Sequence, residues 1–521
     1  NAKAGDLTLT QNSALTAQGG MMDLDAGNGV TVTDGTLTAG SDLSVDAAVT
    51  RIALNNSQLT AGSNLSLTAE TDIALTDSEA ADATGSTLDA QGGELALAAG
   101  GSIALDSAAS GLASGNVTAN AKAGDLTLAQ DSTLTAQGGA MDLDAGNGVM
   151  TTDSTLKAGT DLSVDAAVDR IALNSSQLTA GSNLSLTAAT DIALTRSEAT
   201  NATGSKLTAQ GGDLALTAGG SVALDSAASG LASGNVTANA KAGDLTLAQN
   251  SALTAQGGAM DLDANKDVSV TDGTLEAKTD LSATAQGGDL ALTRSTLISQ
   301  TGAMDLDAGN GITLTDGTLT AGNALSATAQ AGDLALTRSI LTAQNGAMDL
   351  DAGRDIIVTD MTAQNGLQLR ILPPSQASTL TAQNGVMDLD AGRDITIADS
   401  TVTAQDGAQV RALLTSQAST VAAPAGTMDL DAGNSVTVTD STLTAGSDLS
   451  ATAKAGDLAL TRSTLTAQAG AMDLDASNGM TATDSTLTAG SDLSATAKAG
   501  DLALTRSILT AQNGAMDLDA G

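Results

Sequence analysis

Apolar and polar residues alternate in short runs along the whole chain, and Gly, Asn, Asp and Ser separate the runs. Alternation over four or five residues marks β-strands with one buried face, because successive side chains of a strand point to opposite sides. In Val30-Thr31-Val32-Thr33 the valines are expected inward and the threonines outward. A turn at Asp34-Gly35 follows, then Leu37 inward, a second turn at Gly40-Ser41, and Leu43 with Val45 as a third inward pair. The next round opens at Ile52 and Leu54. No segment sustains a helical apolar period, and turn residues interrupt every few positions. Helix is excluded on pattern alone.

The three-strand unit repeats. Asp333–Gly353 (DLALTRSILTAQNGAMDLDAG) returns unchanged at Asp501–Gly521 and, with two changes, at Asp457–Ala476. It alternates with a partner seen at Asn434–Gly456, and a period of ~22 residues predicts a solenoid of stacked rungs. The first inward residues Leu7, Val30, Ile52, Ile73 and Ile103 form a block of ~119 residues. The block recurs as Leu126, Val149, Ile171, Ile192 and Val222, and restarts at Leu245. Inserts at 77–86 and 107–110, matched at 196–205 and 226–229, are expected to bulge outward. From Leu290 the simpler alternation runs through Ile312, Leu334 and Ile356, and resumes at Val436, Leu458, Met480 and Leu502.

Two long irregular units occupy about 356–435. They share Thr362–Thr379 and Thr403–Thr420 and hold Pro373, Pro374 and Pro424. Proline in a sheet is confined to edges and bulges, so a normal rung fused to a shortened one is expected there. A projecting loop or a bend is the alternative. The whole chain, 1–521, reads as one continuous repeat region, five-rung blocks to 289 and alternating rungs from 290.

A single rung cannot bury enough to offset the backbone entropy of ordering it, whereas stacked rungs cover one another's apolar layer and share parallel ladders. The expected fold is all-β, a right-handed parallel β-helix with three short strands per rung and about 21–23 rungs. Four residues after each rung's first inward residue, the sequence reads Arg294, Asp316, Arg338, Asp360, and later Asp440, Arg462, Asp484, Arg506. Stacked at ~4.8 Å, this column becomes a structural ladder of opposite charges that disfavours slipped registers. In the first half the column holds Gln11, Asp34, Asn56 and Asp77, a weaker version.

Composition narrows the function. The chain has no Phe, Tyr, Trp, His or Cys and only 3 Pro, so Leu, Ile, Val, Met and Ala must fill a thin core. Formal net charge is −39, from 59 acidic and 20 basic residues, which repels nucleic acid and anionic lipid and keeps a long solenoid soluble. No apolar run is long enough to span a membrane. The chain opens and closes in mid-repeat without a signal peptide, as expected of a piece of a longer protein.

Met-Asp-Leu-Asp-Ala recurs nine times, from Met22 to Met516, with its aspartates facing solvent. Paired acids suit calcium, but on alternate rungs successive pairs lie ~9.6 Å apart, too far to share an ion. No Gly-Gly-x-Gly-x-Asp calcium-roll repeat occurs, so a solvated acidic face is expected and no metal or cofactor is assigned. Polysaccharide cleavage by two carboxylates is chemically open. The uniform carboxylates, without aromatic platforms, His or Cys, argue against an enzyme. An ice-binding surface of outward threonines, such as Thr31 and Thr33, is broken by Ala459 on the alternate rung. Sequons at Asn64, Asn116, Asn183, Asn201 and Asn235 leave glycosylation open.

With these rungs in hand, the sequence resembles the haemagglutinin repeats of filamentous haemagglutinin-type exoproteins. The likeness rests on the Gly-Asp-Leu-x-Leu-Thr openings at Gly5, Gly332 and Gly500 and on Ser441–Gly446 and Ser463–Gln468. It covers nearly the whole chain. The resemblance implies a secreted or cell-surface β-helical filament of a Gram-negative bacterium. It also implies export by an outer-membrane two-partner secretion transporter, through a domain not in this chain. The expected role is a rigid shaft that displays a tip or side surface to a host or bacterial cell receptor.

Overall fold

A computed structural model describes residues 1–76, 86–195, 205–346, 348–353 and 419–521, together with the backbone of seven strands between 356 and 417. Every assigned element is a strand. The chain divides into two compact units, Asn1–Lys278 and Thr279–Gly521.

In the first unit each rung contributes a first, a second and a third strand to three parallel sheets, as in Val30–Thr33, Thr36–Ala39 and Leu43–Ala47. The first-strand register runs Leu7, Val30, Ile52, Ile73, Ile103, Leu126, Val149, Ile171, Ile192, Val222, Leu245 and Val268. Through Leu245 these are the rung openings that the alternation predicts, and Val268 adds a further one. Inward residues such as Val30, Leu37, Val45, Ile52 and Leu54 are fully buried, and the core among the described residues is aliphatic apart from Thr151 and buried serines. Each layer is covered by the rungs on either side, which is why the thin core excludes water without an aromatic ring.

The inserts at 77–86 and 196–205 lie outside the described residues except Ser86 and Ser205, which are buried. The inserts at 107–110 and 226–229 depart from expectation. Ser107 and Ala108 both take left-handed backbone (φ 57° and 58°), and Ala109 behind them is fully buried. The extra residue tightens the corner instead of looping out. The preceding strand, Ile103–Leu105, is one residue shorter than its neighbour Ile73–Thr76, so the added turn residue replaces strand.

The second unit stacks rungs of the same kind. Leu290–Thr293, Ile312–Thr315 and Leu334–Thr337 pair in parallel, as do Val436–Thr439, Leu458–Thr461, Met480–Thr483 and Leu502–Thr505. In the irregular stretch, Met387–Ala398 and Gly407–Gln417 are long parallel neighbours with a register shift between Asp390 and Asp394. Each runs through the corner that elsewhere divides a third strand from the next first strand. Leu414 is in register with Ile395 and with Val436, so a short rung opens at Ile395 and an ordinary one at Leu414. The segment with Pro373 and Pro374 lies outside the described residues.

Candidate functional site: the polar columns of the rungs

Where the first strand has four residues, the corner to the second strand takes one residue of left-handed backbone, and the predicted charge column occupies it. Arg294, Asp316, Arg338, Asp440, Arg462, Asp484 and Arg506 all have φ between 47° and 54°. Asp and Asn tolerate this conformation; arginine has no such preference. Arg338, Arg462 and Arg506 each reach back one rung. The Arg338 guanidinium grips Asp316 through Nε–Oδ1 at 2.7 Å and Nη2–Oδ2 at 2.8 Å. Arg462 holds Asp440 at 2.6 and 2.7 Å, and Arg506 holds Asp484 with Nη2–Oδ2 at 2.6 Å. These fork-on-fork contacts hold the Asp316, Asp440 and Asp484 carboxyls below the usual carboxylate range, the arginine hydrogen bonds being the first cause. Arg294 and Arg462 also act through space on Asp316 and Asp484 of the following rung. Asp360 lies outside the described residues.

Behind the charge column runs a second column that sequence reasoning missed. The residue after each left-handed position is a buried serine at 57, 154, 176, 295, 339, 441, 463 and 485. Ser463 Oγ lies 2.9 Å from the Thr461 carbonyl oxygen and 3.1 Å from that of Val438. It accepts the Ser441 N–H at 3.3 Å, while the Ser463 N–H donates to Ser485 Oγ at 3.2 Å. The hydroxyls thus satisfy backbone groups that the corner takes out of the ladder. Where glycine replaces serine, an apolar neighbour fills the space. A Cβ on Gly317 would stand 2.4 Å from Leu314 Cδ1, and Gly317 N–H still donates to Ser339 Oγ at 3.3 Å.

A third column links the Gly-Asp-Leu openings to the next rung. Asp457 Oδ1 accepts Asn478 Nδ2 at 2.8 Å and Gly479 N–H at 2.9 Å. Asp6, Asp125 and Asp289 receive the same two bonds from Asn28-Gly29, Asn147-Gly148 and Asn310-Gly311. The signal was in the sequence: Asn-Gly recurs about one rung after Gly-Asp-Leu, at the third corner.

The acidic face is more crowded in the first unit than the alternating rungs suggest. Asp25 stands opposite Asp46, and Asp144 opposite Asp165, because Leu-Ser-Val-Asp-Ala follows Met-Asp-Leu-Asp-Ala in each block. Asp23, Asp25 and Asp46, and likewise Asp142, Asp144 and Asp165, bring one oxygen each within 4.8 Å of the others. Such triples are the described residues whose oxygens converge as a hard cation's ligands would. Crowding and burial both favour the protonated form of these carboxyls. Asp25 beside it pushes the Asp23 carboxyl up, and burial followed by Asp142 and Asp165 raises Asp144. In the second unit the intervening rung supplies Ser and Thr, and Lys454 and Lys498 pair with Asp431 and Asp475 at 2.7 and 3.2 Å.

No helix among the described residues is long and apolar enough to cross a membrane. A family model described as hemagglutinin repeat matches residues 15–150 and 147–296, together more than half of the chain. No curated protein and no solved structure matches the chain.

Proposed function

Since the chain belongs to the hemagglutinin repeat family, we propose that it is the structural shaft of a large secreted or cell-surface bacterial adhesin. The observation that carries this reading is the sameness of the rungs. Inward residues, corner residues and outward polar residues of the described rungs each recur in a column, so their surface is a repeated one. A surface of that kind suits a spacer, which holds a functional tip away from the cell and adds contacts along its side. High negative charge keeps such spacers apart from one another and from anionic membranes. In this reading an outer-membrane two-partner secretion transporter exports the protein by a domain beyond this chain, and a host or bacterial surface receptor meets the displayed end.

The test is deletion of residues 457–500, a whole pair of rungs. Gly456 then meets Asp501 in the same sequence context that Gly500 provides. Bacteria displaying the protein with this deletion should adhere as before, with the tip drawn in by ~9.6 Å. Loss of adherence, with the shortened protein still displayed, would place recognition in those rungs and contradict the spacer role.

A further inference from the structure

Among the described residues the Asn-Gly steps fall into two chemical classes. In an Asn-Gly step the glycine nitrogen is unhindered by a side chain and attacks the asparagine Cγ. The N–Cγ bond forms, the Cγ–Nδ2 bond breaks, and ammonia leaves with the glycine proton. Water then opens the resulting succinimide at either carbonyl, giving aspartate or isoaspartate. The net reaction is amide plus water to acid plus ammonia, and solvent supplies the water.

At Asn28, Asn147, Asn310 and Asn478 one carboxylate oxygen of the preceding rung holds both reacting groups. Asp6, Asp125, Asp289 and Asp457 accept the asparagine Nδ2 at 2.6–2.8 Å and the glycine N–H at 2.9–3.0 Å. The attacking nitrogen is pinned, and a neighbouring negative charge opposes loss of its proton. Asn345 and Asn513 occupy a different corner, between second and third strands. Their Nδ2 atoms donate to the carbonyl oxygens of Gly322 and Gly490, at 2.7 and 2.9 Å. Among the described residues, no acceptor takes the Gly346 or Gly514 N–H, and both asparagines are exposed.

We propose that Asn345 and Asn513 are sites of spontaneous hydrolytic deamidation in the folded protein. The four clamping aspartates suppress the same reaction at Asn28, Asn147, Asn310 and Asn478. The product adds a negative charge to the corner, and isoaspartate adds a methylene to the main chain within a stacked rung.

Trypsin isolates the comparison. Asn345 falls in Ser339–Arg354, Asn478 in Ser463–Lys498 and Asn513 in Ser507–Gly521, each the lone asparagine of its peptide. The intact chain is aged in mildly alkaline buffer, either folded or in denaturant, then digested and read by mass spectrometry with isoaspartate methylation. In the folded chain Asn345 and Asn513 should convert at least about tenfold faster than Asn478, the factor for breaking one hydrogen bond to a charged group. In denaturant the three rates should converge. Equal rates in the folded chain, or a faster Asn478, would overturn the proposal. Asp457→Ala should bring Asn478 up to the rate of Asn513 while Asn310, still clamped by Asp289, stays slow, which reports that the rungs remain folded. A slow Asn478 in that folded variant would overturn the clamp.

Discussion

The arginines of the corner column hold a backbone conformation that arginine does not favour, and the ion pair to the preceding rung offsets that cost. Left-handed backbone costs an ordinary L-residue about 1 kcal/mol that glycine escapes. Arg462→Ala keeps the strained corner and loses both bonds to Asp440, so its unfolding midpoint should fall. Arg462→Gly loses the same bonds but relaxes the corner, and should match or exceed the parent in the same thermal melt. The pairs also have an acid limit. Asp440 titrates below an unfolded aspartate, so its contribution is complete above about pH 4 and disappears as pH falls through the lowered value. A different residue shows a core fault. Thr151 is 1 % exposed, its hydroxyl has no hydrogen-bond partner, and its register neighbours are Leu128 and Leu173. The matching positions one block away are Val32 and Val270. Thr151→Val should stabilise by about 1–3 kcal/mol in denaturant unfolding, the cost of a buried unpaired hydroxyl.

At the scale of the strand, what matters is which rung lies next to which. Asp144 faces Asp165 across the third sheet, and like charges directly opposite cost about 0.2–1 kcal/mol. Asp165→Thr installs the residue found at Thr328, Thr452 and Thr496 in the second unit and should recover that amount at neutral pH. Because Asp144 titrates above an unfolded aspartate, the repulsion is full above its raised value and fades as pH falls through it. The gain from Asp165→Thr, followed by thermal melts from pH 7 downward, should therefore shrink on acidification. The sequence made the strands legible because period-two alternation reports burial directly, and the openings from Leu7 to Leu245 stand in the predicted register. It was less informative about corners. Ser463 reads as a turn residue by composition, yet its hydroxyl faces inward to serve the backbone. Asp457 reads as part of an opening motif, and only stacking reveals that its partners are Asn478 and Gly479. The crowded aspartates were missed because spacing was judged on alternating rungs, whereas Asp46 and Asp165 stand on the intervening ones.

Over a whole unit, a repeat protein draws its stability from nearest-neighbour interfaces, so its dimensions follow from rung count. The absence of cysteine makes this testable, since introduced thiols are the sole labelling sites. Thr38, Thr179 and Thr254 lie outward in one second-strand column of the first unit, through partners Thr60, Asp89, Leu112, Thr135 and Lys157, then Thr208 and Leu231. Nitroxide labels at Thr38→Cys with Thr179→Cys, and at Thr38→Cys with Thr254→Cys, give two distances by pulsed electron resonance. In-register stacking predicts ~29 Å for the six-rung pair and ~43 Å for the nine-rung pair. Equal distances, or a difference far from three rung spacings, would contradict the stacked columns on which every other conclusion stands.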